Sequence, residues 1–242
     1  MASVAVLVHA PSLGPASWRP VARELTRAGH AVVVPSLAGF ADGGPPYVPR
    51  LVRLVAGQVR AGPHDDLVLV THSGAGVFVP HLARAAGARE TTAVFADASL
   101  PRQSGTGTVV EAGFLPFLRD IARDGVVPPW PRWWPGEDLS GLFPDQASRD
   151  AVTAEAPALP LGFYEEALPD VPGGWPAGPA AYLAFSEPYR EQAAEAARAG
   201  WPVQELPGEH LHMLVSPGEV ATAIMTLAAG ARAARSSLLS LP

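Results

Sequence analysis

No cysteine occurs anywhere in the 242 residues. That absence removes disulfides, thiolate metal sites and sulfur nucleophiles together, so any nucleophile must be an oxygen or a nitrogen. Lysine is missing too: all 17 basic residues are arginine, and the formal net charge is −6. A mildly acidic chain without a basic run argues against nucleic acid or an anionic membrane as the main partner. The lysine-free composition, rich in Ala, Gly, Pro and Arg, reads as the coding bias of a GC-rich bacterial genome, which speaks of source and not of chemistry. No apolar run approaches the roughly 20 residues of a transmembrane helix. The N-terminal MASVAVLVHAP lacks the basic segment of a signal peptide and reads better as a first strand. These absences predict a soluble, cytoplasmic protein. There is no HExxH or similar ligand spacing, and no metal or cofactor is expected. Nothing in the chain speaks to oligomeric state.

What is present is an alternation. Short β-rich runs at 3–8, 31–34, 67–70 and 92–96 are separated by amphipathic stretches at 17–28 and 48–61 and by a third ending near Gly87. Short βα connections of this kind predict an α/β fold: a doubly wound, mostly parallel sheet of about six strands with helices on both faces. After Asp97 the alternation breaks for more than eighty residues, then resumes with strands at 181–185 and 203–206 and a final helix at 218–233. The expected organisation is therefore a core of residues 1–97 and 181–242 with a lid inserted at 98–180, and a poorly ordered tail at 235–242. Helices are expected in the lid at 109–123 and 148–155. Its Trp130, Trp133 and Trp134, with Phe114, Phe117, Phe143, Phe163 and Tyr164, make it apolar enough to line a substrate pocket, although such rings also serve simply to pack a lid onto a sheet.

The most informative stretch is LVLVTHSGAGVFVP, residues 67–80. It reads as strand, sharp turn and helix, with Ser73 at the apex, and so tight a turn requires small residues two before and two after it, here Thr71 and Ala75. Such an elbow lifts one hydroxyl above the carboxyl edge of a sheet at a helix N-terminus, where N–H groups suit a developing oxyanion. The competing reading is an ordinary serine N-cap.

The THSGAG elbow, a histidine in the loop after the last strand and an insertion after the fourth strand together resemble the α/β-hydrolase family over nearly the whole chain. The resemblance implies a nucleophile, acid and base in the order Ser, Asp or Glu, His. Gly208-Glu209-His210, followed seven residues on by Pro217, is similar to the family's Gly-x-His register. That implies His210 as the base and leaves His212 as a packing or lid-contacting residue. Two positions in the family supply the acid. The loop after the strand that follows the lid usually reads Gly-Glu-x-Asp, and here it is Ser186-Glu187-Pro188-Tyr189. Tyr189 thus stands at the Asp position, and a phenol with a pKa of about 10 cannot support an imidazolium as a carboxylate does. Asp97 occupies the other position, which members resembling haloalkane dehalogenases use; it is preferred as the acid, with Glu187 as the alternative and a mere cap as the competing role.

For the oxyanion, the resemblance implies the N–H of Gly74 as one donor. The second usually comes two residues after the His that closes the first strand, here His9, and that position is Pro11, which has no N–H. Ser12 or Leu13, by backbone or by the Ser12 hydroxyl, is left to supply it. His9 and His72 are typical of the family at their positions and read as structural. The implied activity is that of a serine hydrolase acting on a small or medium apolar ester, lactone or thioester. The alternatives are a lyase or cyclase of the same fold, which would move protons without an acyl-enzyme, and a ligand-binding protein that keeps the elbow as a relic.

Overall fold

Valine, leucine and alanine runs that lie far apart in the chain meet in one sheet. In the computed structural model, which describes residues 3–59, 65–102, 107–170, 175 and 178–239, the strands in chain order are β1 (Ser3–Val8), β2 (Ala31–Val33), β3 (Asp66–Ser73), β4 (Glu90–Ala98), β5 (Val126–Val127), β6 (Leu159–Pro160), β7 (Ala180–Ala184) and β8 (Val203–Glu205). The main sheet has the order β2-β1-β3-β4-β7-β8, with every pair parallel. Its middle strands are covered on both faces, which is why Val6, Leu7, Val8, Val68, Val70, Val94, Phe95 and Leu183 are all wholly buried. This produces the continuous apolar runs, not the alternation of a one-sided sheet.

Helices α1 (Arg19–Arg27), α2 (Val48–Gln58) and α3 (Val79–Ala86) follow the first three strands, and α7 (Arg190–Arg198), α8 (His212–Val215) and α9 (Pro217–Leu239) belong to the C-terminal part. α1 packs on α9 and α2 on α3. The expected continuation of α2 to residue 61 runs into residues outside those described. Between β3 and α3 the chain makes a 3₁₀ turn over Gly74–Phe78; α3 proper then starts with Pro80 in its first turn, where a missing N–H costs nothing. α9 runs past residue 233 to Leu239, into the segment expected to be a loose tail. No glycine or proline interrupts it there, and Ser236 and Ser237 each return a hydroxyl bond to the carbonyl four residues back. Residues 240–242 lie outside the described ones. Among the described residues no helix is long and apolar enough to cross a membrane.

The insertion contains α4 (Leu115–Ile121), α5 (Gln146–Glu155), α6 (Leu161–Glu165) and the antiparallel β5–β6 pair. The helix expected over 109–123 shrinks to α4, and the N–H groups of Val109 and Val110 reach across to the carbonyls of Glu166 and Tyr164, at 3.0 and 3.4 Å. Two carboxylates fasten the insertion to helix starts in the core. Glu155 accepts from the N–H of Ala16 at 2.7 Å and pairs with Arg19, and Glu166 accepts from the N–H groups of Tyr47 and Val48 at the head of α2. A series of ring contacts, Phe114–Trp133–Tyr164–Phe163–Phe78, runs from the insertion surface to the turn behind Ser73.

Candidate active site

Ser73 ends β3 with φ 56° and ψ −134°, a conformation L-residues avoid and pay for in strain. The chain leaving β4 presses against the turn: the Ser99 N–H donates to the Ser73 carbonyl at 3.1 Å. Thr71 and Ala75, where crowding was expected, are both fully buried. The backbone approach that forbids a side chain falls one residue later, at Gly76, where a Cβ would lie 2.0 Å from the Ser99 carbonyl oxygen.

Next to the elbow, β4 holds one residue more than β3. His72 pairs with Ala96 but Ser73 pairs with Ala98, so Asp97 is a bulge, with φ 46°. A bulge turns a side chain out of the strand's regular alternation. Tyr182 on β7 repairs the ladder, its hydroxyl donating to the Ala98 carbonyl at 2.8 Å and accepting from the Ala98 N–H at 3.0 Å.

The Asp97 carboxylate has no exposed surface and is fully engaged. Oδ1 accepts from the N–H groups of Phe185 and Ser186 at 2.9 and 3.0 Å. Oδ2 accepts the Ser186 hydroxyl at 2.5 Å and His210 Nδ1 at 2.8 Å. Burial alone would raise its pKa, but the bonds and charge from His210, with those from Ser186, outweigh it and hold the group below the ordinary carboxylate value. An ionised Asp97 requires the proton of His210 to sit on Nδ1, which leaves Nε2 as a lone pair. His210 is further fixed through its backbone, whose carbonyl accepts from His72 Nε2 at 2.9 Å. The His72 ring lies 4.4 Å from that of His210.

His72 is kept neutral by burial, which pushes its pKa well down, with the adjacent His210 adding to the effect. His9 is likewise buried neutral, its pKa lowered to about 4 by desolvation. Nδ1 donates to the Ala10 carbonyl at 2.7 Å and Nε2 accepts the Leu37 N–H at 3.4 Å. His212 stands apart from Asp97, its ring 5.6 Å from Phe185. Glu187 is exposed and pairs with Arg190 at 2.6 Å.

Tyr189 is drawn towards Ser73 and His210. It ends the 3₁₀ turn Glu187–Tyr189, its ring stacks on His210 with centroids 5.0 Å apart and planes within 5°, and its hydroxyl shares a 3.0 Å hydrogen bond with Ser73 Oγ. No Ser73–His210 hydrogen bond forms in this arrangement. Burial raises the phenol to about 12, with the Ser73 hydrogen bond opposing the rise.

At the β1 side, the Leu13 N–H is spent on the Ala10 carbonyl at 2.9 Å. Ser12, the other donor expected in place of Pro11, is buried. Gly74 is the first residue of its turn, so its N–H has no partner within the turn. Trp130, Trp133 and Trp134 make ring contacts with one another and with Phe114, Phe117 and Tyr164, and the Trp133 indole N–H donates to the Pro128 carbonyl. Neither ring contact nor hydrogen bond links them to Ser73, His210 or Tyr189. Among the described residues no group of three or more His, Asp or Glu side chains is placed to hold a metal ion.

This geometry has relatives. The family model described as "Alpha/beta hydrolase family" matches residues 5–223. A carbendazim hydrolyzing esterase of Nocardioides sp. (strain SG-4G) is 26% identical over 244 residues, covering 92% of this chain and 98% of that protein. Among solved structures, an extracellular α/β-hydrolase from a Paenibacillus species, described as sharing structural and functional homology with tobacco salicylic acid binding protein 2, superposes with a TM-score of 0.68 at 21% identity over 93% of this chain and 98% of its own. Polyneuridine aldehyde esterase gives a TM-score of 0.70 at 19% identity over 94% and 99%. These two likenesses show the shared fold.

Proposed function

This chain belongs to the α/β hydrolase family, and on that premise we propose that it is a serine hydrolase of carboxylic esters. Ser73 is the nucleophile, His210 the base and Asp97 the acid. His210 Nε2 removes the Ser73 proton as Oγ attacks the carbonyl carbon, and Asp97 stabilises the imidazolium. The Gly74 N–H and Ser12 hold the oxyanion, each such donor being worth about 10²–10³ in rate. The imidazolium returns its proton to the leaving oxygen, and water then releases the acyl group by the same steps in reverse. The observation that carries this reading is the buried, four-bonded Asp97 carboxylate set 2.8 Å from His210 Nδ1 beside the strained Ser73. An esterase at 26% identity over nearly the full length supports the reaction class. The substrate class proposed is a small or medium apolar ester, lactone or thioester, in line with an ester-cleaving relative over nearly the full length. The test is Ser73→Ala assayed with p-nitrophenyl acetate: turnover falls by at least about 10³, and unchanged turnover overturns the proposal.

A second reading is favoured by the Ser73–Tyr189 hydrogen bond standing where a serine–histidine bond would be. Ser73 and Tyr189 share a proton there while His210 stands beside them as a separate base, an arrangement suited to elimination or cyclisation without an acyl-enzyme. A fluorophosphonate separates the two: covalent labelling with no ester turnover identifies the second.

A further inference from the structure

Among the described residues, the phenol of Tyr189 is the polar group bonded to Ser73 Oγ, and the scheme above leaves it without a task. Its position is defined on three sides: by the 3.0 Å bond to Oγ, by the parallel stack on His210 and by the turn that also sends Ser186 to Asp97. In the sheet order, β3 has β1 on one side and β4, then β7, on the other. Gly74 and Ser12 serve the oxyanion from the elbow and the β1 loop, whereas Tyr189 arrives from the β7 side with the imidazole. The phenol lies against His210 within hydrogen-bond reach of Oγ, so once a tetrahedral carbon joins Oγ to the leaving-group oxygen it stands beside the oxygen to which His210 delivers its proton.

We infer that Tyr189 is a further catalytic residue, whose O–H hydrogen-bonds the leaving-group oxygen as the tetrahedral intermediate collapses, suiting the site to esters of unactivated alcohols. The inference rests on the hydrolase reading. When substrate enters, the phenol exchanges its bond with Ser73 Oγ for one with the ester's alkoxy oxygen, freeing Oγ for His210. The C–O bond to the leaving group then breaks, its electron pair going to that oxygen. The proton taken from Ser73 is delivered there from His210 Nε2, and the Tyr189 O–H stabilises the charge that builds before delivery. Tyr189 keeps its own proton throughout, so the step balances without any co-reactant. The raised pKa of the phenol keeps it a neutral donor over the working pH range. An aryloxide such as p-nitrophenolate, already a weak base, has little use for the bond, whereas an alkoxide has much.

The experiment compares Tyr189→Phe with the native protein across acetate esters whose alcohols range from p-nitrophenol to ethanol, reading kcat/KM, which reports acylation. The variant keeps the ring stacked on His210. The expected result is a loss of about 10- to 100-fold for ethyl acetate, the size of a hydrogen bond to a charged group, and less than about threefold for p-nitrophenyl acetate, so that rate depends more steeply on leaving-group basicity. An equal loss for all esters, as an oxyanion donor or a purely structural residue would give, overturns the proposal, and so does no loss at any ester. Retained p-nitrophenyl acetate turnover in Ser73→Ala would fell the hydrolase reading itself, independently of the Tyr189 result.

Discussion

The tips of β4 and β7 reach the same histidine by different means. β4 ends in a bulge that offers a carboxylate; the chain beyond β7 offers N–H groups, a hydroxyl and a phenol. Neither tip is complete alone. Asp97 would be a costly buried charge without the Phe185 and Ser186 donors, and those donors would have no acceptor without the bulge. A side chain's role here is set by which partners its strand tip faces. Tyr189 bonds Ser73 while the carboxylate beside His210 comes from across the sheet.

The comparison breaks most sharply at Asp97. Asp97→Asn removes the charge and permits the wrong imidazole tautomer, and kcat/KM for p-nitrophenyl acetate is expected to fall about 10³–10⁴. Adding Tyr189→Asp to that variant is expected to recover nothing, because position 189 faces the plane of the ring and not Nδ1. Recovery beyond tenfold would make the two tips interchangeable.

Protons sharpen the comparison from the other side of β4. The tips of β1 and β3 carry histidines that must stay neutral. With a folded pKa of about 4 against 6.5 unfolded, His9 is depressed by folding, so its contribution is complete above pH 6.5 and lost as pH falls towards 4. The loss is on the order of 3 kcal/mol, and His72 shifts in the same direction. Asp97, also depressed, adds its own loss below about pH 3.8. Urea unfolding at stepped pH checks this: a flat stability between pH 6.5 and 4 contradicts the buried neutral state.

The smallest effects separate neighbours within the β7 tip. Ser186→Ala deletes one bond to Asp97 and is expected to cost about tenfold in kcat with KM unchanged. Glu187→Gln, one residue on, deletes an exposed pair and is expected to change kcat/KM by less than about twofold. Equal effects in initial-rate assays would contradict the division between the inner and outer faces of this turn.

The parallel sheet was legible because strands covered on both faces leave apolar runs, as in Val68, Leu69 and Val70. The strained turn at Ser73 and the loop that carries His210 were legible because elbow and Gly-x-His spacing are local. The Asp97 bulge was not, since one extra residue in Phe95-Ala96-Asp97-Ala98 leaves no mark in the pattern; it exists only relative to β3. For the same reason the Tyr189–Ser73 bond was hidden: it joins residues 116 apart in the chain through a 3₁₀ turn. The bond that engages the Leu13 N–H is a turn bond to Ala10 that spacing does not reveal. In the insertion, periodicity suggested a longer first helix because apolar Val109 and Val110 suit a strand partner as well as a helix.

The Asp97 bulge also constrains how such a site can change by mutation. The strand that carries Asp97 is one residue longer than its neighbour requires, so the placing of the carboxylate depends on chain length as well as on the residue. Deleting Asp97 would bring Ala96 and Ala98 into even register, remove the carboxylate and release the Tyr182 hydroxyl from its repair.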